Sequence, residues 1–377
     1  MAQQDSLQQK ERFLKNLSFL AMYQAGYVFA TNEFLRGVNV ESEKVNSIQA
    51  ISLKVSKQTT GDNDWEQMYN YPNWGLGFYI ADFDNSKEIG NPFAFYAFIN
   101  APFVRKEKLT FNWELGIGAT FNWKSYNPVT NKYNISIGAS NSFYIDAGLN
   151  INYPLTERIN FIGGFSLSHF SNGGIKKPNY GINSIAPKIS LQYNLYDKLN
   201  FKERQLPKKF KQNEFAFSVF AGVKNVIFDS VNIDILEKYE GVFFTVAGLN
   251  AAVNKQVSHK SKIGFGFSLS YDGSINAQIA IDKNELTPLK TPFKDKFQIS
   301  IFPSYELVVD KLSLIIQPSF YIYRLKMITN TPIFYQRVGL KYHFNNNIFM
   351  GLNLRAYDFH VSDFIEWNVG YRILWKK

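Results

Sequence analysis

The chain contains no cysteine, which removes disulfides, zinc–thiolate centres and cysteine nucleophiles from its chemistry. It has only 4 histidines in 377 residues. Three of them, His259, His343 and His360, lack metal-ligand spacing and read as structural or surface groups, so neither a metal nor any other cofactor is expected. No run of about 18 apolar residues occurs, which excludes membrane-spanning helices. The start, Met1-Ala-Gln-Gln-Asp-Ser, is polar and has no apolar signal-peptide core. Acid is the scarcer charge, 31 Asp and Glu against 41 Lys and Arg, for a net charge of +10. Such a surplus suits an anionic membrane surface or nucleic acid. No nucleic-acid motif accompanies it, so nucleic acid is not an expected partner.

Aromatic residues, by contrast, are abundant: 17% of the chain, with 35 Phe and 22 Tyr. Yet the mean hydropathy is slightly negative, at -0.21. Aromatic-rich, neutral in hydropathy and free of long apolar runs is the signature of a transmembrane antiparallel β-barrel, whose strands alternate lipid-facing and lumen-facing residues. The alternation is explicit. From Leu109 to Ile117 every odd position is apolar, against Thr110, Asn112, Glu114 and Gly116. Residues 143–153 and 297–307 repeat the pattern, and Trp367, Val369, Tyr371, Ile373 and Trp375 close the chain with it. Polar faces that carry Glu, Asp and Arg suit a wet lumen, where the acids pair with Lys or Arg.

The periodicity predicts strands over 17–31, 46–58, 73–83, 92–104, 108–123, 141–153, 157–170, 185–197, 214–229, 240–257, 260–272, 295–309, 311–323, 332–345, 347–359 and 363–376. That makes an all-β fold of about 16 strands, an even number, as bacterial single-chain barrels require. Tight connections such as Arg105-Lys106-Glu107 and Pro154-Leu155-Thr156 alternate with long ones at 32–45, 124–140, 171–184 and 273–294. Short periplasmic turns and long outer loops are the outer-membrane pattern. A barrel protein is exported, so a mature chain with its signal peptide removed is expected. Residues 1–16 read as a polar periplasmic segment, with Asp5 or Ser6 placed to cap a short helix. Two periplasmic connections are unusually long, 59–72 and 198–213, and the second is strongly basic. One barrel over 17–377 is the favoured reading, because the same dyad runs on both sides of 198–213. The alternative is an eight-stranded barrel followed by a second β unit. The basic stretch 198–213 is the expected contact for a partner in an outer-membrane complex.

The seventh strand ends in His169-Phe170-Ser171. At the strand period, His169 and Ser171 share a face with Phe161, Phe165 and Leu167, while Asn160, Gly164, Ser166 and Ser168 take the other. If the first strand runs outward, this end lies at the outer leaflet. A hydroxyl and an imidazole two residues apart on one strand face are within hydrogen-bond reach, the pairing of a nucleophile with its general base. The bland reading is an interfacial strand end that happens to be polar.

The segment from His169 to Asn183 resembles the signature of the outer-membrane lipid A 3-O-deacylases, or acyloxyacyl hydrolases: His-x-Ser-Asn-x-Gly, matched by His169 to Gly174, and Pro-Asn-x-Gly, matched by Pro178 to Gly181. The resemblance covers residues 17–197. The chain's length and the wording Ile99-Asn-Ala-Pro102 are similar to versions from Bacteroidetes-type bacteria. The resemblance implies a serine esterase acting on lipid A of lipopolysaccharide, with Ser171 as nucleophile and His169 as base. It implies an oxyanion hole from Asn179 and the Gly174 backbone N–H. The triad acid of the family falls at position 183, where this chain has Asn183. An asparagine accepts from the imidazole N–H but cannot offset the imidazolium charge. Lys176 and Lys177 are expected to contact lipid A phosphates. The rival expectation is a catalytically idle barrel, a structural subunit of an outer-membrane complex.

Overall fold

A computed structural model describes residues 16–196, 199–203, 205–206, 212–226, 233–239, 241–286, 290–327, 332–357 and 361–376. All sixteen expected strands are present, with ends shifted by a few residues: β1 (Leu17–Val28), β2 (Ser47–Gln58), β3 (Asn73–Asp82), β4 (Gly90–Arg105), β5 (Thr110–Trp123), β6 (Ser142–Pro154), β7 (Ile159–Ser171), β8 (Ile182–Asn194), β9 (Gln212–Lys224), β10 (Phe244–Gln256), β11 (Ser261–Asp272), β12 (Phe297–Val309), β13 (Leu312–Tyr323), β14 (Phe334–His343), β15 (Ile348–Tyr357) and β16 (Val361–Lys376). Among the described residues three short α-helices sit in connections: α1 (Asp64–Met68), α2 (Ile233–Tyr239) and α3 (Ile275–Asp282). None is long and apolar enough to cross a membrane. The expected N-terminal helix falls in residues 1–15, outside the described residues.

The strands close as two eight-stranded antiparallel barrels rather than one of sixteen. β8 returns to β1, with Ser18 opposite Asn194 and Val28 opposite Ser184. β9 pairs with β10 and β16. The favoured single barrel is therefore corrected to its alternative. The physical reason is that alternation records which face a residue takes, not which strand it pairs with, so the same dyad on both sides of a connection cannot report closure. The chain divides accordingly into a unit built on β1–β8 and a unit built on β9–β16, the second including the short segment Gly173–Lys177.

Closure at eight strands decides what the lumen holds, because an eight-stranded interior is just wide enough for side chains to fill it. In the first barrel Lys54 and Lys188 converge on Glu114 at 2.8 and 2.9 Å. Ser168 donates to Asp146 at 2.8 Å. Toward the outer end Tyr79, Tyr96, Tyr144 and Phe170 stack, with Tyr79 and Tyr144 centroids 5.1 Å apart. Gly77 leaves room for one of these rings, since a Cβ there would lie 2.3 Å from Tyr96. Phe34, Leu35, Val45, Phe83, Ile89 and Ile137, all but fully buried, continue this core into the outer loops. The opposite face of each strand is apolar and exposed, as Leu53, Leu76, Phe95, Leu149 and Leu191 show. Apolar side chains pointing outward over a polar, filled interior invert the soluble rule and match a barrel set in lipid.

The second barrel keeps the same facing with a more ionic lumen. Arg337 meets Glu366 at 2.7 Å, Lys224 meets Asp272 at 2.8 Å, and Lys262 meets Glu214 at 2.6 Å. Lys341 pairs with Glu306. A buried ion pair gains little net energy, but deleting one partner costs about 3–5 kcal/mol, so these pairs fix the lumen packing. α2 and α3 lie in outer connections and share a small core of Val226, Ile235, Tyr239, Ala277 and Ala280.

The described parts of the two long connections expected to be periplasmic also find structure. Glu66 of α1 accepts from Gly61 N and Asp62 N, at 2.8 and 2.9 Å. Lys202 N donates to Thr60 O at 2.8 Å, the Lys202 ammonium lies 2.5 Å from Asp62, and the Phe201 ring sits 4.6 Å from that of Tyr71. The start of the basic stretch is thus fastened to the β2–β3 connection. Residues 207–211 lie outside the described residues.

Candidate active site

The site begins with which way β7 faces. Phe161, Phe165 and Leu167 point outward, 40%, 44% and 49% exposed, while Ser166, Ser168 and Phe170 are buried in the lumen. Phe170 drives its ring among Trp123, Tyr144 and Phe83, at 5.4, 5.3 and 5.7 Å between centroids. Anchoring that one ring inward commits its two neighbours, His169 and Ser171, to the lipid-facing side. Their alternation is as expected from sequence, but Ser171 itself is buried, 4% exposed, and His169 is half-buried.

Across β7 and β8, His169 stands directly opposite Asn183. His169 Nδ1 lies 2.6 Å from Asn183 Oδ1, and Nε2 lies 2.8 Å from Ser171 Oγ. An amide oxygen only accepts, so the Nδ1–H donates to it. That leaves the Nε2 lone pair to accept from the Ser171 hydroxyl, the tautomer a general base needs. On the β6 side Ile145 flanks His169 and Phe143 flanks Ser171. The polar relay therefore sits inside an apolar wall.

Asn179 turns its side-chain oxygen back to accept from Asn172 N at 3.1 Å. Its amide nitrogen is buried and has no hydrogen-bond partner among the described residues. A donor prepared and left unmet is what an oxyanion would need. Gly174, Lys176 and Lys177 fall in the segment grouped with the second barrel. Gly174 has φ 81. Lys176 is exposed, whereas the Lys177 ammonium is buried without a hydrogen-bond partner, and burial pushes it down to about 8.

Sequence reasoning gave Gly181 no role of its own. It has φ 73, and a Cβ on it would lie 3.0 Å from His169 Cε1 and 3.4 Å from Ser171 Cβ. Gly181 thus forms one wall of the imidazole. Its signal was in the Pro-Asn-x-Gly block, but a pattern does not say what a glycine touches. Of the other histidines, His343 lies in the second lumen, 2.9 Å from Ser313 Oγ. His259 is partly exposed, and His360 is outside the described residues.

An eight-stranded barrel, apolar outside and polar within, defines a class, the outer-membrane β-barrels, and this one carries a serine–histidine–asparagine relay at the end of β7. Two family models place the chain within that class. Residues 49–194 match lipid A 3-O-deacylase (PagL), and residues 213–376 match the acyloxyacyl hydrolase C-terminal domain. Between them these matches take in most of both barrels, so the first barrel is similar to lipid A 3-O-deacylase and the second to the acyloxyacyl hydrolase C-terminal domain. Among solved structures, the outer membrane enzyme PagL is similar at 17% identity, over 45% of this chain and 97% of that chain, with a TM-score of 0.29. A mutant of the Rh. blastica porin is similar at 10% identity over 95% of this chain and 99% of that one, with a TM-score of 0.19. The Pseudomonas putida toluene transporter TodX is similar at 9% identity over 95% and 88%, with a TM-score of 0.18. Scores this low carry no weight for function. No curated protein matches the chain.

Proposed function

We propose that the protein is a serine esterase of the outer membrane that removes an ester-linked acyl chain from lipid A. The observation that carries this reading is the relay Ser171 Oγ to His169 Nε2, and His169 Nδ1 to Asn183 Oδ1, on the lipid-facing side of the barrel. Ser171 Oγ attacks the ester carbonyl carbon as its proton passes to His169 Nε2. The oxygen that gains charge takes a hydrogen bond from the unpartnered Asn179 Nδ2. The backbone N–H of Gly174 is assigned the second donor on sequence pattern alone. Collapse breaks the bond to the sugar oxygen, which leaves with the proton from His169. Water, deprotonated by the same imidazole, then hydrolyses the acyl-serine. Lys176 and Lys177 are assigned to lipid A phosphates. The reading also takes the chain to be exported, its signal peptide removed.

Asn183 sets the strength of the machine. It fixes the tautomer as an acid would, but it offers no charge to the imidazolium formed in both steps. In a serine triad an Asp-to-Asn change costs about 10⁴ in turnover, through the wrong tautomer. Here Oδ1 faces Nδ1, so the tautomer penalty is avoided and the missing charge remains. Mass spectrometry of lipid A from cells with and without the chain tests the reading. Loss of one acyl chain, abolished by Ser171→Ala, is expected. An unchanged lipid A profile would favour the idle structural subunit, with residues 198–213 as its contact to a partner.

A further inference from the structure

We propose that the β5–β6 connection is the positioning element of this site, with Ser136 and Asn32 as positioning residues; the inference rests on the esterase reading above. β7 ends at Ser171, so the ladder that orients the strand stops where the chemistry would begin. From the lumen side Phe170 is held by its aromatic cage. On the side of the β7–β8 connection Gly181 lies against the imidazole, and a Cβ on it would sit 3.0 Å from His169 Cε1.

Gly181 is in turn held by the β5–β6 connection. Gly181 N donates to Ser136 O at 2.8 Å, and Tyr180 N donates to Ile135 O at 3.1 Å. These bonds extend a short ladder beyond the end of the barrel, and they directly follow Asn179, which carries the unpartnered amide. The connection is itself pinned from the side by a reciprocal pair. Asn32 Nδ2 donates to Ser136 Oγ at 3.0 Å, and Ser136 Oγ lies 3.2 Å from Asn32 Oδ1. Ser136 is fully buried, and Asn32 nearly so. Neighbouring Asn134 bonds Glu88 O and Lys124 O at 3.0 and 2.8 Å, and its oxygen accepts from Ile137 N. Four connections, β1–β2, β3–β4, β5–β6 and β7–β8, are thereby tied into one rim, and its contact at Gly181 is with the imidazole. A buried polar network of this kind holds a single geometry when every member is satisfied.

Kinetics of the purified full chain on lipid A in detergent test the inference. Ser136→Ala leaves the Asn32 amide unpaired and frees the loop. The expected result is a roughly tenfold fall in kcat, the order that a small misplacement of reacting groups costs. KM stays within about twofold, because the apolar surface that binds the acyl chain is untouched. Ser136→Thr keeps the hydroxyl and recovers most of the rate. The heat-modifiable band on a gel verifies that each variant is a closed barrel. Unchanged kcat in Ser136→Ala, or equal loss in the Ala and Thr variants, overturns the inference. If the wild-type chain releases no acyl group, the esterase reading fails by itself. The positioning claim is then decided by ¹⁵N NMR of His169. A single Nδ1–H tautomer in the wild type that becomes exchange-averaged in Ser136→Ala upholds it. Identical signals in the two overturn it.

Discussion

Among the described residues there are two serine–histidine hydrogen bonds of nearly the same length, one in each barrel, and they differ in what stands behind the ring. Ser171 and His169 meet at 2.8 Å on the outer face of β7, where the ring's second nitrogen is claimed by Asn183. Ser313 and His343 meet at 2.9 Å inside the second lumen. There Ser313 is fully buried, and His343 Nδ1 has no hydrogen-bond partner among the described residues. The nearest acid, Glu306, approaches the same Nε2 that the serine uses, at 4.0 Å, and is already paired with Lys341. A serine beside a histidine is therefore not a site. What distinguishes the first pair is a third group behind the ring and an unmet amide donor nearby at Asn179; burial does not, since Ser171 is itself only 4% exposed. The seventh strand of the second barrel, β15, turns Met350, Leu352, Leu354 and Ala356 outward instead, a purely apolar stripe.

The strongest way to break this contrast is to delete each serine in turn. Ser171→Ala should lower acyl release from lipid A by about 10³-fold or more, as loss of a nucleophile does in serine hydrolases. Ser313→Ala should leave the rate within about twofold and cost about 1 kcal/mol of stability, the net value of one hydrogen bond. Lipid A profiling reads the first, and urea-dependent loss of the heat-modifiable band reads the second. Equal loss of activity in the two variants would erase the distinction between rim and lumen.

A second experiment sharpens the comparison by supplying what the rim pair lacks. Asn183→Asp keeps the shape of the side chain, so the 2.6 Å contact to Nδ1 survives with a negative charge in place of a dipole. If charge compensation limits the rate, kcat rises by roughly 10- to 100-fold, part of the 10⁴ that the reverse change costs elsewhere. KM should hardly move, since the imidazolium exists only along the reaction path. A fall in kcat would show instead that the lipid-facing position cannot hold a carboxylate.

How much of this was legible beforehand follows from the same contrast. The strands were, because a dyad such as Leu109 to Ile117 has no other economical reading. The facing of His169 was also legible, since one large residue on a strand fixes both neighbours. The closure of two barrels was not, because β8 and β9 alternate alike while choosing different partners, β1 and β16. Nor were the contacts of Gly181 with His169, or of Ser136 with Gly181 and Asn32. They join loops from separate hairpins, and single-sequence periodicity carries no record of contacts between loops. Asn179 was marked by its motif. That its amide stands unpartnered needed coordinates.

The smallest predicted effect concerns Lys177, which differs from the cations of either lumen. Lys54, Lys188, Lys224, Lys262 and Lys341 each pair with a carboxylate, whereas the buried Lys177 ammonium feels Asp363 only through space and has no hydrogen-bond partner among the described residues. Burial lowers its proton affinity to about 8, so it is charged below that pH and neutral above. If it binds a lipid A phosphate, attraction is present on the acid side and lost as pH rises through 8. KM should then be flat up to neutrality and climb by roughly three- to tenfold above pH 8, part of the value of one charge-assisted hydrogen bond. In Lys177→Met, KM should be high throughout and lose that slope, while kcat is unchanged if the ammonium only binds substrate. A variant with wild-type KM and the same rise above pH 8 would assign the phosphate contact elsewhere, and would leave Lys177 as a cation whose burial serves packing alone.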